Sequence, residues 1–232
     1  MKILSIANPT GGTGKSATAL AIAVAAAEYG RNVLLVDLDE RANLTFQLAI
    51  ENPRFTLLEV ASGSASLDLS VVRTAERFDF LPGAPRLTAL LSAEKLAEKF
   101  ATYDLVVIDT ASSLSARLTI ASEISDAVLY PTTNSLSSVR GVLLAKNIFK
   151  DSWQLGVLPV MTDLVTDVIS ALSADFKILD PAIPLDENTL LAQIENKSLL
   201  NFAKTSPASD AYRDVTYFLL EELFGGKTNA AL

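Results

Sequence analysis

Residues 3–16 read Ile3-Leu4-Ser5-Ile6-Ala7-Asn8-Pro9-Thr10-Gly11-Gly12-Thr13-Gly14-Lys15-Ser16, and this stretch decides the fold. Ile3, Leu4, Ile6 and Ala7 form a short apolar run, as in a strand buried on both faces of a parallel sheet. Asn8 to Gly14 is a turn with three glycines, and Lys15-Ser16 opens a long alanine-rich helix. Strand, glycine turn and helix N-terminus together make an anion site. The glycines let backbone N–H groups close around phosphate oxygens, and the first helical turn adds free donors and the positive end of its dipole. In such a loop Lys15 reaches the β and γ phosphates and the Ser16 hydroxyl binds Mg²⁺. Gly11, Gly12, Thr13, Gly14 and Ala17 complete the expected nucleotide cradle. A plain tight turn would not need Gly-x-Gly-Lys-Ser in that order.

Composition bounds what the chain can do. Its 232 residues (24.7 kDa) point to one α/β domain over residues 1–224, with residues 225–232 as a flexible end. Half the residues are hydrophobic, yet no apolar run approaches the ~20 residues that span a membrane. The chain enters a strand at once, which leaves no room for a signal peptide and points to the cytoplasm. There is no cysteine and no histidine, so thiolate metal sites, disulfides and imidazole bases are excluded. Catalysis must rest on carboxylates, lysines, hydroxyls and bound magnesium. A net charge of −8 argues against broad attraction to nucleic acid but leaves room for a local basic patch.

Along the chain, strands alternate with helices. Residues 16–29 read as a helix closed by Gly30. Residues 32–38 read as a second buried strand running into Asp37-Leu38-Asp39, where ligands collect at the carboxyl edge of an open α/β sheet. The same acids would also suit a plain polar strand exit. Residues 56–63 suggest a short helix with a glycine end, residues 78–83 a third strand leaving through a proline turn, and residues 87–100 a core-packed helix through Leu87, Leu90, Leu91 and Leu96. Tyr103 to Thr110 reads as a strand ending in Asp109, whose carboxylate can order magnesium. Residues 125–130 are a further strand, and residues 136–149 a helix carrying Arg140, Lys146 and Lys150, with Lys146 and Lys150 at i and i+4 on one face. Residues 154–161 form another strand, Thr162-Asp163 reads as a helix start, and residues 176–179 read as a short strand. Residues 210–224 are the last helix. The expected architecture is α/β: a doubly wound, mostly parallel sheet flanked by helices, of P-loop NTPase type.

The loop departs from the general phosphate-loop pattern at Pro9 and resembles the deviant Walker A box of the ParA/MinD partition ATPases, Lys-Gly-Gly-x-Gly-Lys-Ser/Thr. Gly11, Gly12, Gly14, Lys15 and Ser16 match, whereas Thr10 stands where the family carries its signature lysine. The family's Asp-x-Asp-Pro-Gln-x-Asn-Leu-Thr is similar to residues 37–45, with Glu40 and Arg41 replacing Pro-Gln. Its Asp-Thr-Pro-Pro becomes Asp109-Thr110-Ala111-Ser112, which leaves that segment freer.

The resemblance implies ATP and Mg²⁺ as cofactors. It implies Asp39 positioning the attacking water and binding near the metal, Asp37 beside Lys15 and the magnesium shell, and Asp109 with Ser16 at the metal. It implies Pro184 in the Ile183-Pro184-Leu185 loop near the adenine. It further implies an ATP-dependent homodimer, nonspecific nucleoid DNA as a partner through Lys197, Lys204 or Arg213, and an adaptor of McdB or ParB type. The last helix, residues 210–224, lacks the lysines that a MinD-like membrane tail needs on its polar face, so no membrane anchor is expected.

Loss of the signature lysine makes the chain look most like the carboxysome-positioning McdA branch. Lys150, with Lys146 and Arg140 as alternatives, is the candidate to replace that lysine in trans; all three also suit a solvated helix face. Two other readings stand beside this one: a metabolic kinase or ligase of dethiobiotin-synthetase type, and a module that binds nucleotide with little turnover.

Overall fold

The computed structural model describes residues 1–85 and 93–225. Among the described residues seven strands, β1 (Lys2–Ile6), β2 (Val33–Asp37), β3 (Val72–Arg73), β4 (Asp79–Leu81), β5 (Leu105–Asp109), β6 (Ala127–Thr132) and β7 (Trp153–Pro159), lie in the order β3-β4-β2-β5-β1-β6-β7. Among the described residues the pairings are parallel except β3 with β4. The helices are α1 (Lys15–Glu28), α2 (Asn43–Gln47), α3 (Leu57–Ser62), α4 (Leu67–Ser70), α5 (Ala93–Glu98), α6 (Ala116–Ile124), α7 (Leu136–Ile148), α8 (Asp167–Ser170), α9 (Asn188–Ile194), α10 (Leu199–Phe202) and α11 (Pro207–Phe224).

The strand pleat sorts the core into two layers. Leu4, Ile6, Leu105 and Val107 point to one face, where α1, α10 and α11 cover them. Ile3, Val106 and Ile108 point to the other, under α3, α5, α6 and α7. Side chains alternate because successive strand residues face opposite ways. Helix α1 is apolar nearly all round, with Ala19, Ala21, Ala23, Ala25 and Ala26 all buried. A helix with no polar face belongs inside, and α1 lies between the sheet and α11, where the Thr18 and Tyr212 hydroxyls meet at 3.1 Å. The doubly wound, mostly parallel sheet expected from the sequence is what the chain forms.

Several local expectations change. No helix starts at Thr162-Asp163. The Thr162 hydroxyl instead donates to the Leu164 carbonyl (2.6 Å) and accepts from Asn134 Nδ2 (2.7 Å), so the next helix begins at Asp167. The strand expected at 176–179 reduces to one parallel bridge, Val157 with Ile178. Lys150 lies beyond the end of α7, so it does not share a helical face with Lys146. The last helix starts three residues early, at Pro207, because Ser206 caps it. The third strand expected at 78–83 is β4, whereas helices α6, α9 and α10 and the two-residue strand β3 were not legible in the pattern. Leu96 is buried as expected; Leu87, Leu90, Leu91 and residues 226–232 of the expected flexible end lie outside the described residues.

The bridge to residue 178 depends on Gly156, whose φ is +137°, and a Cβ there would run into the Lys177 carbonyl oxygen. Gly156→Ala is expected to cost about 1–3 kcal/mol, measured as a lower denaturant midpoint at unchanged slope. An unchanged midpoint would show that β7 and residue 177 do not pack this closely.

Candidate functional site

The site lies at the carboxyl ends of β1, β2 and β5, which the sheet order places side by side. Asp37 and Asp109 are registered partners across β2 and β5, and Ile6 pairs with Asp109 across β1 and β5. Gly12 and Gly14 both sit at φ +73°, a left-handed conformation costly for any residue with a Cβ. At Gly14 a Cβ would also press on Met161 and Val160 at 3.3 Å. The glycines therefore set the loop's path. Thr13 is buried, and its hydroxyl donates to the Thr10 carbonyl at 3.3 Å.

Lys15 is buried, with 4% exposure, and its Nζ donates to the Thr10 carbonyl oxygen and to Ser112 Oγ, both at 2.9 Å. Burial lowers its pKa, while the Asp109 and Asp39 charges pull it back up. The ammonium is thus held inside the loop by weak partners that phosphate oxygens can replace. The Ala111-Ser112 replacement for Pro-Pro does not leave the segment free. Ser112 accepts from Lys15, the Thr110 hydroxyl donates to the Ile6 carbonyl at 2.8 Å, and Ser113 Oγ donates to Glu40 Oε1 at 3.3 Å.

Asp109 is fully buried, and neither carboxylate oxygen makes a well-formed hydrogen bond, although the Ser16 hydroxyl lies close enough to favour the ionised form. Burial first, then the neighbouring Asp37 charge, push its carboxyl up to about 8. A buried carboxylate without donors is costly, and a divalent cation beside Ser16 would relieve that cost. Among the described residues no three carboxylates form a metal cluster. Mg²⁺ does not need one, since it binds through one or two protein oxygens, phosphates and water. The donor set fits this ion.

Asp39 is also buried, and its Oδ1 accepts from the Arg41 N–H at 3.0 Å. Asp37, expected beside Lys15, directs its hydrogen bonds to the acidic turn and to Thr45. Its Oδ1 accepts from the Asp39 N–H (3.1 Å), and its Oδ2 accepts from the N–H (2.9 Å) and hydroxyl (2.7 Å) of Thr45. Thr45 Oγ1 in turn accepts from the Gly83 N–H at 2.8 Å. A Cβ at Gly83 would lie 2.9 Å from the Asp37 carboxyl carbon. Asp37 therefore ties the acidic turn to α2 and β4, and burial pushes its carboxyl up to about 6. Gly83 and Ser112 were missed from sequence; the Leu81-Pro82-Gly83 turn was the signal for the first.

Thr10 does not face outward. Its hydroxyl donates to the Ser137 carbonyl of α7 at 2.9 Å, and its N–H donates to Asn8 Oδ1 at 3.1 Å. Gly141 makes this possible, because a Cβ there would overlap Asn8 Oδ1 and come within 2.5 Å of Thr10 Oγ1. Of the cations near α7, Lys146 is held by Asp175 at 2.6 Å and lies over the Phe176 ring, whereas Arg140 and Lys150 are exposed. Gly14, Ala17, Val160, Ile183, Pro184 and Tyr212 help line a cavity of 370 Å³ beside the loop, roomy enough for a nucleoside. Among the C-terminal cations, Arg213 is tied to Glu28 (2.8 and 3.3 Å) and to the Lys204 carbonyl. Lys197 pairs with Glu195 at 3.6 Å, and Lys204 is exposed.

The Asp109 environment carries a testable sign. The folded chain holds a proton on this carboxyl up to about pH 8, whereas the unperturbed group releases it near 3.8. Its burial therefore costs stability that grows as pH rises between those values. Without nucleotide, Asp109→Asn is expected to gain about 1–3 kcal/mol at pH 8 and less at pH 5, read from urea melts at the two pH values. Equal gains at both would mean that the carboxyl titrates normally.

A family model described as an AAA domain (AAA_31) matches residues 1–152. The chromosome-partitioning ATPase Soj of Thermus thermophilus is 31% identical over 231 residues, covering 90% of this chain and 92% of its own. Cobyrinic acid a,c-diamide synthase from Mycobacterium smegmatis superposes with a TM-score of 0.81 at 26% identity, over 97% of this chain and 96% of that one. A Cyanothece McdA variant in complex with ATP has the same fold (TM-score 0.79, 22% identity, covering 97% of this chain and 96% of that one). With its deviant glycine loop, buried Lys15 and Asp109-terminated strand, the chain belongs to the ParA/MinD family of partition ATPases.

Proposed function

We propose that the chain is an ATP-dependent dimerisation switch that binds nonspecific nucleoid DNA and positions a cargo through an adaptor protein that stimulates hydrolysis. The observation that carries this reading is the buried trio at the loop: Lys15 parked on Thr10 and Ser112, Asp39 on its turn, and Asp109 with both oxygens free. The glycine loop and the α1 N-terminus hold the phosphates, and Lys15 leaves its two weak acceptors for the β and γ oxygens. Adenine packs by Pro184 in the neighbouring cavity. Bound Mg²⁺, held by Ser16 and through water by Asp109 and Asp39, would neutralise charge on the transferred phosphoryl group. Asp39 orients the attacking water. Only the ATP state presents a γ-phosphate to share across a dimer, so ATP and not ADP shifts the equilibrium toward the pair.

Thr10, standing where the family carries its signature lysine, favours the McdA branch in this reading, and another cation would then serve the partner's nucleotide. Lys150 is that residue in this reading: it is exposed, whereas Lys146 is occupied by Asp175. DNA contact falls to exposed cations such as Lys204 rather than to Arg213, which is occupied by Glu28. The likeness to cobyrinic acid a,c-diamide synthase favours a second reading, a ligase that passes phosphate to a small acceptor. ADP release that depends on such an acceptor and ignores DNA would select it.

Light-scattering mass should report a monomer with ADP and a dimer with ATP–Mg²⁺ that then binds duplex DNA. Lys15→Ala should lose nucleotide, and Asp39→Ala should bind ATP and stay dimeric. A wild-type monomer under every condition would refute the switch. Lys150→Ala is expected to lower turnover at least about ten-fold; a phosphate-release assay at the wild-type rate would return Lys150 to ordinary surface charge.

A further inference from the structure

Arg117 stands in the first turn of α6 and is nine-tenths buried, an unusual place for a guanidinium. Its Nη2 donates to the Ala84 carbonyl at 2.7 Å and to the Pro85 carbonyl at 3.1 Å, which fixes it behind the turn that follows β4. Its Nη1 is buried with no partner. Among the described residues no carboxylate forms an ion pair with it, although Glu40, then Asp39, then Asp37 are the charges that bear on it most. A buried cation left half satisfied is a costly arrangement unless another state of the molecule completes it.

The group best placed to complete it is Glu40. Glu40 is exposed, follows Asp39 directly, and already touches the segment leading into α6 through Ser113 Oγ at 3.3 Å. Ser115, the N-cap of α6, also has a buried hydroxyl without a partner. The turn that carries Glu40 includes Ala42 at φ +50°, a conformation that a residue with a Cβ adopts at a cost. An unsatisfied guanidinium donor on α6 thus lies within the field of an acidic turn that is strained where it stands.

We propose that Arg117 is a positioning residue for ATP hydrolysis: its free Nη1 takes the Glu40 carboxylate when ATP–Mg²⁺ binds, and this latch holds Asp39 against the γ-phosphate. The inference rests on the ATPase site assigned above and adds a residue from the opposite layer of the fold. It also gives a role to Glu40, where the family pattern has proline. A proline cannot supply the anion, and an arginine buried here without that anion would have no reason to keep one donor free.

The test is steady-state hydrolysis by the full chain, with kcat and KM for ATP resolved, in Arg117→Met, Arg117→Lys, Glu40→Gln and the Arg117→Met/Glu40→Gln double variant. Misplacing a positioning group costs rate rather than binding. Each Met or Gln variant is therefore expected to lose about ten- to a hundred-fold in kcat, while KM and fluorescent-ADP affinity stay near the wild type. Arg117→Lys should recover part of the loss, and the double variant should fall no further than the worse single one, because the two residues act as one pair. Glu40 is on the surface, so Glu40→Gln remains informative if Arg117→Met does not fold. Wild-type kcat in Glu40→Gln, or losses that multiply in the double variant, would overturn the latch while leaving the ATPase site intact. A wild-type chain that does not hydrolyse ATP would overturn that site and the latch together.

Discussion

One constraint governs this molecule: a lysine ammonium and three carboxylates are kept almost out of water at the ends of adjacent parallel strands. Lys15, Asp37, Asp39 and Asp109 are all buried at the carboxyl edge of β1, β2 and β5. Isolated charges cannot be sustained there. Each must be paired, bonded to the backbone, protonated, or completed by a ligand. Asp37 is fully bonded through Thr45 and Asp39, Asp39 holds the Arg41 N–H, and Lys15 borrows a carbonyl and a serine hydroxyl. Asp109 alone has nothing well formed, and its carboxyl is driven up accordingly. A nucleotide with Mg²⁺ supplies the missing anion and cation together. That is why a single ligand can organise the whole edge of the sheet.

The rest of the fold serves this edge at close quarters. Gly141 lets α7 press on Asn8 and Thr10, and Asn8 Nδ2 reaches the Pro131 carbonyl at 2.9 Å, so β6, α7 and the phosphate loop are directly joined. Gly83 lets the turn after β4 lie against the Asp37 carboxyl, and the Thr45 hydroxyl connects the two. The phosphate loop and its acids therefore have packed neighbours on both sides. On the α7 side lie Thr10, Arg140 and the end of the helix near Lys150; on the other lie the Asp39 turn and α6. The departures from the family pattern fall along these same lines. Thr10 is spent on α7 rather than projecting, Ser112 replaces a proline and receives Lys15, and Glu40 stands where proline would.

Much of this was open to reading from residue order alone. The glycine turn between an apolar run and an alanine-rich helix identifies β1, the loop and α1, because few other structures use that chemistry in that order. Apolar runs ending in acids identify β2 and β5. The short elements escaped: β3 has two residues, α10 has four, and α8 forms only after Thr162 has spent its hydroxyl on Leu164. Propensity is weak over such lengths, and contacts made elsewhere decide them. Lys146 and Lys150 looked like one helical face on spacing alone, until the helix proved to end between them.

The sequence by itself determined the class of fold, the phosphate loop and the identity of the acids at the strand ends, since each is written within a dozen adjacent residues. Tertiary structure decided which of those groups meet. Lys15 and Ser112 are 97 residues apart, Thr10 and Ser137 are 127, and Gly83 and Thr45 are 38. They touch because the sheet is ordered β2-β5-β1-β6, which no local pattern states. The same holds for Arg117, an ordinary charged residue on an unremarked helix in the sequence. Burial against the turn after β4, with one donor left over, is a property that only the folded chain can give it.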